Sequence, residues 1–443
     1  MGAPRKDHAQ LMSLLMKRKE YSVVYTYSNG FSGFAAHLSK EEAKSIAQRP
    51  EVVSVFRDHV LQLHTTRSWD FLKSQNAHLK FDTNPTSSHS VSWSTGADTI
   101  IGILDTGIWP EHPSFSDKNM GPIPSRWKGK CVPGGNSTYS FKCNKKLIGA
   151  RYYDNPEAPG YIGSARDEEG HGTHVASTAA GIPIWGASYK GLAKGIARGG
   201  SPGSRIAVYR VCGSDGCAGS AILKAYDDAI ADGVDVISVS LGGVHRDFLT
   251  DTVAIGAFHA VEKGITVVCS AGNGGPSPGT VENFVPWIIS VGATTIDRDF
   301  EADIVLGGNR VIKGGGINFS GLNKSAVYQL VDGRSASSSQ TNVADARCSN
   351  CVPGSLDDAK VRGKIVLCDY KDAHKLLEKI DTLKKQGAIG MILIHNLLRT
   401  FAYDYGTSPV VGVTEEDGNQ IRSYINSTTN PLATILPTEV KLN

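Results

Sequence analysis

The sequence lacks any apolar run that could cross a membrane, because no stretch approaches about 18 uninterrupted apolar residues. It also lacks an apolar leader at its start, so no signal peptide is expected within the chain. An excess of one charge is missing as well: 43 acidic residues nearly balance 46 basic ones, and the formal net charge is +3. This balance gives no reason to expect nucleic acid or an anionic membrane surface as a partner.

The composition is that of a globular protein with several domains. Apolar residues make up 40% of the 443 positions and charged residues 20%. That proportion supplies enough apolar material for packed cores. The length predicts about two to four domains.

Seven of the eight cysteines fall into local groups. These groups are Cys131 with Cys143, Cys212 with Cys217, and a later cluster of Cys348, Cys351 and Cys368. Close pairs favour loop-closing disulfides and therefore an oxidising compartment. Zinc is the alternative, since Cys348 and Cys351 have the spacing of half a zinc site, but no Cys/His knuckle completes it. If the chain is secreted, four sequons are glycosylation acceptors: Asn136, Asn318, Asn323 and Asn426.

Hydrophobic periodicity divides the chain into three regions. The first, 8–64, reads as a small α+β module with helices over 8–17 and from the Ser39 cap to Ala47, and strands over 21–27, 31–38, 52–56 and 60–63. From residue 99 onward, apolar strands alternate with helices: strands over 100–104, 205–211, 236–241, 265–269 and 287–291, and helices over 171–180, 220–232 and 251–263. This alternation predicts a parallel sheet covered on both faces.

The third region runs from 327 to 436 and is again of the α/β type. Its predicted strands are 364–368, 388–394, 410–413 and 433–435, and its predicted helices are 372–386 and 415–425. A Ser-rich stretch over 335–341 is loop-like. A short tail, 437–443, follows.

Three residues stand where an active site could form. Asp105 ends an apolar strand, and functional groups of parallel sheets lie at the carboxyl ends of strands. His171 lies between two glycines at the head of a helix of small residues. Asn273 follows a strand, where its amide could donate to a developing oxyanion. Singly, each is more often a turn, cap or solvated residue. No Glu accompanies His171 and His174 in the metalloprotease arrangement, so no metal site is expected.

In combination, these segments resemble a known family. Asp105-Thr106-Gly107, the Gly-His-Gly-Thr-His run over 170–174 and the Ser-Ala-Gly-Asn run over 270–273 resemble the subtilisin-like serine peptidases, or subtilases. In that family the triad runs Asp, His, Ser, and the oxyanion Asn lies between His and Ser. The segments 65–72 and 176–181 make the plant-type subtilases the closer match.

The resemblance implies a role for each matching residue. His171 would take the proton of the nucleophile and return it to the leaving amine, Asp105 would orient and stabilise the imidazolium, and Asn273 would donate to the oxyanion. The implied substrate-binding residues are Ser240, Leu241, Gly242, Gly243, Ala271 and Gly272. Polypeptides are the expected substrates, and no cofactor is expected.

The first and third regions of the chain also resemble parts of the subtilase family. Residues 8–64 resemble its inhibitory propeptide, which blocks the cleft and is cut before the Thr-Thr-Arg-Ser segment, here between His64 and Thr65. The catalytic domain would cover 65–326, and 327–436 resemble the inserted protease-associated domain. The tail 437–443 would lead back towards the catalytic domain.

The resemblance also extends to the cysteines and to location. It pairs Cys348 or Cys351 with Cys368 and leaves Cys269 unpaired. The chain's own propeptide would act as an intramolecular inhibitor, and the family places the protein outside the cell, in the cell wall or apoplast.

The nucleophilic serine of the family is absent from its expected pattern. The family places it in a Gly-Thr-Ser-Met-Ala-like segment at the start of a buried helix. Gly406-Thr407-Ser408 matches in part, but a β-branched run broken by glycine follows it and predicts a strand. The serine is therefore expected beyond residue 443, and the catalytic domain is expected to be incomplete and inactive in this chain. The alternative is a non-catalytic protein that only binds peptides or the propeptide.

Overall fold

The computed structural model describes residues 23–50, 52–56, 60–63, 96–135, 138–153, 162–214, 216–243, 247–338, 346–370 and 376–442. The chain forms two compact units. The first unit comprises Met1–Ala187 with Lys194–Thr294, and the second comprises Ser188–Ala193 with Thr295–Asn443. The predicted helix over 8–17 and the predicted cleavage point between His64 and Thr65 lie outside the described residues.

Fourteen strands occur among the described residues up to residue 294. They are β1 (Val23–Tyr27), β2 (Gly33–Ala36), β3 (Val60–Leu63), β4 (Ile100–Asp105), β5 (Leu147–Tyr152), β6 (Ile184–Tyr189), β7 (Leu192–Ala197), β8 (Arg205–Arg210), β9 (Cys212–Gly213), β10 (Gly216–Ala218), β11 (Val236–Val239), β12 (Leu241–Gly242), β13 (Thr266–Ser270) and β14 (Ile289–Val291). The helices are α1 (Lys40–Ala47), α2 (His171–Ala180), α3 (Gly219–Asp232) and α4 (Thr252–Glu262), beside a short 3-10 helix over Pro113–Phe115.

A parallel sheet of six strands, in the order β14-β13-β11-β4-β8-β5, forms the centre of the first unit. Side chains alternate along its central strand β4. Ile100 and Leu104 pack into the cluster that contains buried residues of α3 and α4. Ile101 and Ile103 pack into the cluster that contains buried residues of α2. The predicted parallel sheet with helices on both faces is thus confirmed.

The described part of the N-terminal region pairs β1 with β2 in antiparallel register and follows them with α1. Ser39 caps α1 and Glu42 completes a capping box, as the sequence predicts. The predicted strand over 52–56 is wrong, because no regular element forms there. Val53 is 91% exposed, and β-branched residues form strands only where a partner strand and a buried face support them.

The second unit contains eleven strands and five helices in its described part. The strands are β15 (Arg298–Glu301), β16 (Ile304–Leu306), β17 (Arg310–Ile312), β18 (Ile317–Asn318), β19 (Tyr328–Asp332), β20 (Lys364–Asp369), β21 (Gly390–Ile394), β22 (Asp404–Gly406), β23 (Val410–Val413), β24 (Leu432–Ile435) and β25 (Glu439–Leu442). The helices are α5 (Ala346–Ser349), α6 (Asp358–Val361), α7 (Leu376–Lys385), α8 (Asn396–Thr400) and α9 (Glu415–Ser427).

A mixed sheet of seven strands organises the second unit, in the order β17-β16-β24-β19-β20-β21-β23. The run from β19 to β23 is parallel, whereas β17, β16 and β24 pair antiparallel. The strands predicted in 327–436 are confirmed. However, β16 and β17 come from before residue 327 and belong to the same sheet, so the predicted boundary between 326 and 327 stays a prediction.

Three disulfides join the predicted cysteine groups: Cys131–Cys143, Cys212–Cys217 and Cys351–Cys368. Of the two alternatives left open for Cys368, the structure selects Cys351. Cys269 is a buried thiol, as the family resemblance implies. Among the described helices, none is long and apolar enough to cross a bilayer.

Replacing both Cys131 and Cys143 with serine is expected to destabilise the first unit by about 2–3 kcal/mol. The disulfide closes a short loop with a sequence separation of 12, and its loss restores loop entropy to the unfolded chain. All six tryptophans lie in the first unit, so tryptophan fluorescence during urea denaturation measures the change. An unchanged midpoint in the double variant would contradict the prediction.

Candidate active site

Asp105 is the last residue of β4, at the carboxyl end of the central parallel strand. It shares the face of Ile101 and Ile103, because side chains alternate along a strand and α2 covers that face. The side chain is fully buried, and the backbone N–H of Thr106 donates to its Oδ1 at 2.8 Å. The strand therefore presents a carboxylate towards the helix that carries the predicted base.

His171 is the first residue of α2 and meets Asp105 directly. Its Nδ1 lies 2.7 Å from Asp105 Oδ1. Gly170 precedes it in the left-handed conformation at φ 93°, which a residue with a side chain rarely adopts, and this turn starts the helix at the histidine. Because an ionised carboxylate can only accept, Nδ1 carries the proton of the shared bond, and Nε2 is the ring nitrogen that can act as a base.

The backbone packs too closely around this pair for side chains at two neighbouring glycines. A Cβ on Gly172 would lie 2.3 Å from the carbonyl oxygen of Gly107. Gly107 itself has φ +112°, and a Cβ there would lie 2.5 Å from the carbonyl oxygen of Ala165. These contacts let α2 approach the end of β4 closely enough for a direct hydrogen bond.

Burial dominates the electrostatics of the pair. Loss of solvent raises the pKa of Asp105 above its ordinary value, and the hydrogen bond and charge of His171 offset only part of the rise. The second carboxylate oxygen, Oδ2, is buried with no hydrogen-bond partner. A buried carboxylate with one strong partner stabilises a positive charge on that partner, which is the condition an imidazole needs to accept a proton.

The predicted substrate strand, β12, is already paired with a strand of the N-terminal region. β3 pairs antiparallel with β12, where Leu63 lies opposite Leu241 and Gln62 opposite Gly242. On its other side β3 pairs antiparallel with β10. A segment of the N-terminal region is therefore held by main-chain hydrogen bonds between two strands that come later in the chain, the mode in which extended peptides bind to open strand edges.

The other predicted site residues follow β13 or flank β12. Ser240 and Gly243 stand on either side of β12. Ala271 and Gly272 are partly buried, and Asn273 is exposed in the loop after β13. The oxyanion role of Asn273 and the substrate contacts of the other residues stay predictions.

Two residues that sequence reasoning missed support these elements. Asn283 donates from Nδ2 to the carbonyl oxygens of Leu241 and Ser270, each at 2.8 Å, and so ties β12 to β13. Asp167 accepts hydrogen bonds at the start of α2. The position of Asp167 just before a Gly-His helix start was a usable signal, whereas nothing local in the sequence singles out Asn283.

Ser408, the partial match to the family's serine segment, belongs to the second unit. It lies in a turn, where its N–H donates to the carbonyl oxygen of Tyr405 at 3.1 Å. β23 follows from Val410, so the predicted strand is confirmed and no helix starts at this serine.

Comparison with known families matches three parts of the chain. The description "Subtilase family" applies to residues 96–369, "Peptidase inhibitor I9" to residues 3–64 and "PA domain" to residues 326–421. The first match covers more than half of the chain.

Individual relatives match the chain almost from end to end. A CO(2)-response secreted protease of Arabidopsis thaliana is 53% identical over 442 residues, which cover 99% of this chain and 57% of the relative. Subtilisin-like protease SBT5.1 of the same plant is 51% identical over 443 residues, which cover 99% of this chain and 56% of the relative. The chain thus spans little more than half the length of these curated relatives. A solved epidermin leader peptide processing serine protease from Staphylococcus aureus is 21% identical, covers 65% of this chain and 67% of its own, and has a TM-score of 0.38.

Proposed function

The chain belongs to the subtilase family, and on this premise we propose that it supplies the Asp–His half of a serine endopeptidase active site. The nucleophilic serine is assigned to sequence outside these 443 residues. The hydrogen bond between Asp105 Oδ1 and His171 Nδ1, 2.7 Å long at the end of the central strand, carries the proposal. His171 would act as general base and then general acid, while Asp105 fixes its tautomer and stabilises its cation.

Polypeptides are the substrates of this proposal, bound as an extended strand beside Ser240–Gly243. The pairing of β3 with β10 and β12 supports it, since main-chain hydrogen bonds of this kind hold any extended peptide. Asn273 is assigned to the oxyanion. The I9 match and the position of β3 support inhibition by the chain's own N-terminal region, with the cut between His64 and Thr65.

A location outside the cell is part of the same proposal. The three disulfides suit an oxidising compartment, and one relative carries the word "secreted" in its name. The sequons at Asn136, Asn318, Asn323 and Asn426 would then be available for glycosylation.

A fluorophosphonate probe, which labels an activated serine, tests the proposal. We expect no labelling of the 443-residue chain. We expect labelling of a longer form that includes the family's serine segment, and its loss when His171 is replaced by alanine. Labelling of the 443-residue chain that disappears in Ser408→Ala would identify Ser408 as the nucleophile and contradict the assignment. If neither form is labelled while both bind peptides, the protein is a non-catalytic peptide binder.

A further inference from the structure

The carboxylate of Asp167 accepts five hydrogen bonds from three segments of the chain. Its Oδ1 accepts from the hydroxyl of Thr106 at 2.9 Å and from the N–H groups of Glu169 and Gly170 at 3.0 and 2.8 Å. Its Oδ2 accepts from the N–H and the hydroxyl of Thr173 at 2.9 and 2.5 Å. One side chain thus holds the end of β4, the turn before α2 and the first turn of α2.

Thr106 connects the segment that carries Asp105 to the helix that carries His171. Its hydroxyl donates to Asp167, which leaves the lone pairs of the oxygen to accept from the N–H of Gly172 at 2.8 Å. Thr106 follows Asp105 in the chain, and Gly172 follows His171. The residue after the acid is therefore bonded to the residue after the base, and Asp167 fixes the direction of the hydroxyl that joins them.

The hydrogen bonds around Asp167 favour the charged form of its carboxylate. Burial acts to raise its pKa, but the hydrogen bonds from Thr173, Gly170 and Thr106 outweigh burial, so that the pKa is lowered. The neighbouring Arg166 does not neutralise it, because the guanidinium is engaged by Glu111 through two hydrogen bonds of 2.8 and 2.7 Å. The negative charge of Asp167 in turn contributes to the raised pKa of Asp105.

We propose that Asp167 is a positioning residue, which holds Asp105 and His171 in register and places a second negative charge behind their hydrogen bond. The inference rests on the proposed function, in which that pair transfers the proton. It predicts that the ionisation of His171 depends on Asp167 even though the structure gives no hydrogen bond between them. A carboxylate that only capped α2 would affect stability and leave the imidazole unchanged.

The test measures the pKa of His171 in the 443-residue chain and needs no catalytic serine. Hydrogen–deuterium exchange at the imidazole carbon between the two nitrogens, followed by mass spectrometry, gives a pKa for each histidine from the pH dependence of its rate. In Asp167→Asn we expect the pKa of His171 to fall by about 1 unit, because an anion that favours the imidazolium is removed. Asp167→Glu keeps the charge and is expected to recover most of the shift.

Matched variants separate the possible outcomes. Asp251 caps α4 through two backbone N–H groups, so Asp251→Asn makes the same change at another helix start and should leave His171 unchanged. If Asp167→Asn fails to fold, Thr106→Val removes the connecting hydroxyl with the carboxylate in place and should also shift the pKa of His171. An unshifted His171 in a folded Asp167→Asn or Thr106→Val variant overturns the inference. If Asp105→Asn also leaves His171 unchanged, the proposed function fails as well.

Discussion

Replacing His171 with alanine is expected to lower kcat about a millionfold in a longer form of the protein that includes the family's serine segment. Removal of the histidine or serine costs this much in subtilisin, where the triad acts as a unit. The reason in this chain is that His171 Nε2 is the base assigned to take the proton of the serine, and the 2.7 Å bond from Nδ1 to Asp105 orients it. Hydrolysis of a fluorogenic peptide measures the loss.

The variant Asp105→Asn is expected to lose less activity than His171→Ala. It keeps the shape of the carboxylate but removes the charge and allows the wrong tautomer, so a loss of about ten-thousandfold is expected. Glu262→Gln serves as a control, because Glu262 is an exposed residue that pairs with His259 of α4, on the face of the first unit's sheet opposite α2. Equal rates in the His171→Ala variant and the unchanged protein would remove His171 from the mechanism.

Replacing Arg151 with methionine is expected to lower the free energy of unfolding of the first unit by about 3–5 kcal/mol. The Arg151 guanidinium donates to both carboxylate oxygens of Asp232, at 2.8 and 2.6 Å, and the Asp232 side chain is 4% exposed. Tyr209 donates to the same carboxylate at 2.9 Å but cannot neutralise it. Methionine therefore leaves a buried charge without its counterion, which is the costly way to break a buried pair.

An exposed pair offers a matched comparison. Arg126 and Asp235 form an ion pair of 2.6 Å, but their side chains are 45% and 41% exposed. Because solvent screens such a pair, Arg126→Met should cost no more than about 1 kcal/mol. Urea denaturation followed by tryptophan fluorescence compares both variants. If Arg151→Met lowers the free energy of unfolding no more than Arg126→Met does, the folded protein compensates the charge of Asp232 without Arg151, and the prediction is wrong.

The elements that sequence reasoning recovered are those with a strong local pattern. The buried runs of β4 and β13 and the Ser39 capping box were all predicted, since apolar period and cap chemistry are local properties. The short strands β9, β10 and β16 were missed. Strands of two or three residues carry no measurable period, and they form because a partner strand lies beside them.

The candidate site likewise contains some residues that the sequence predicts and others that only the structure reveals. Asp105 and His171 were found because their motifs are short and continuous in sequence. Asp167 and Asn283 act through hydrogen bonds to residues far along the chain, such as Thr106 and Leu241, and only folding brings these groups together. The partner of Cys368 was open for the same reason: two cysteines three residues apart are equivalent until the backbone direction of each is known.

Under the proposed function, a free peptide has to compete with β3 for the edge of β12. It lies between β10 and β12 as part of the same chain, so its local concentration does not fall when the protein is diluted. Covalent linkage of two binding partners typically gives an effective concentration on the order of millimolar. Under the proposed function, a peptide substrate at micromolar concentration that binds no more tightly than β3 would be excluded by mass action. In that proposal, a cut in the chain after β3 would turn β3 into a diffusible competitor, and dilution alone would then free the edge of β12.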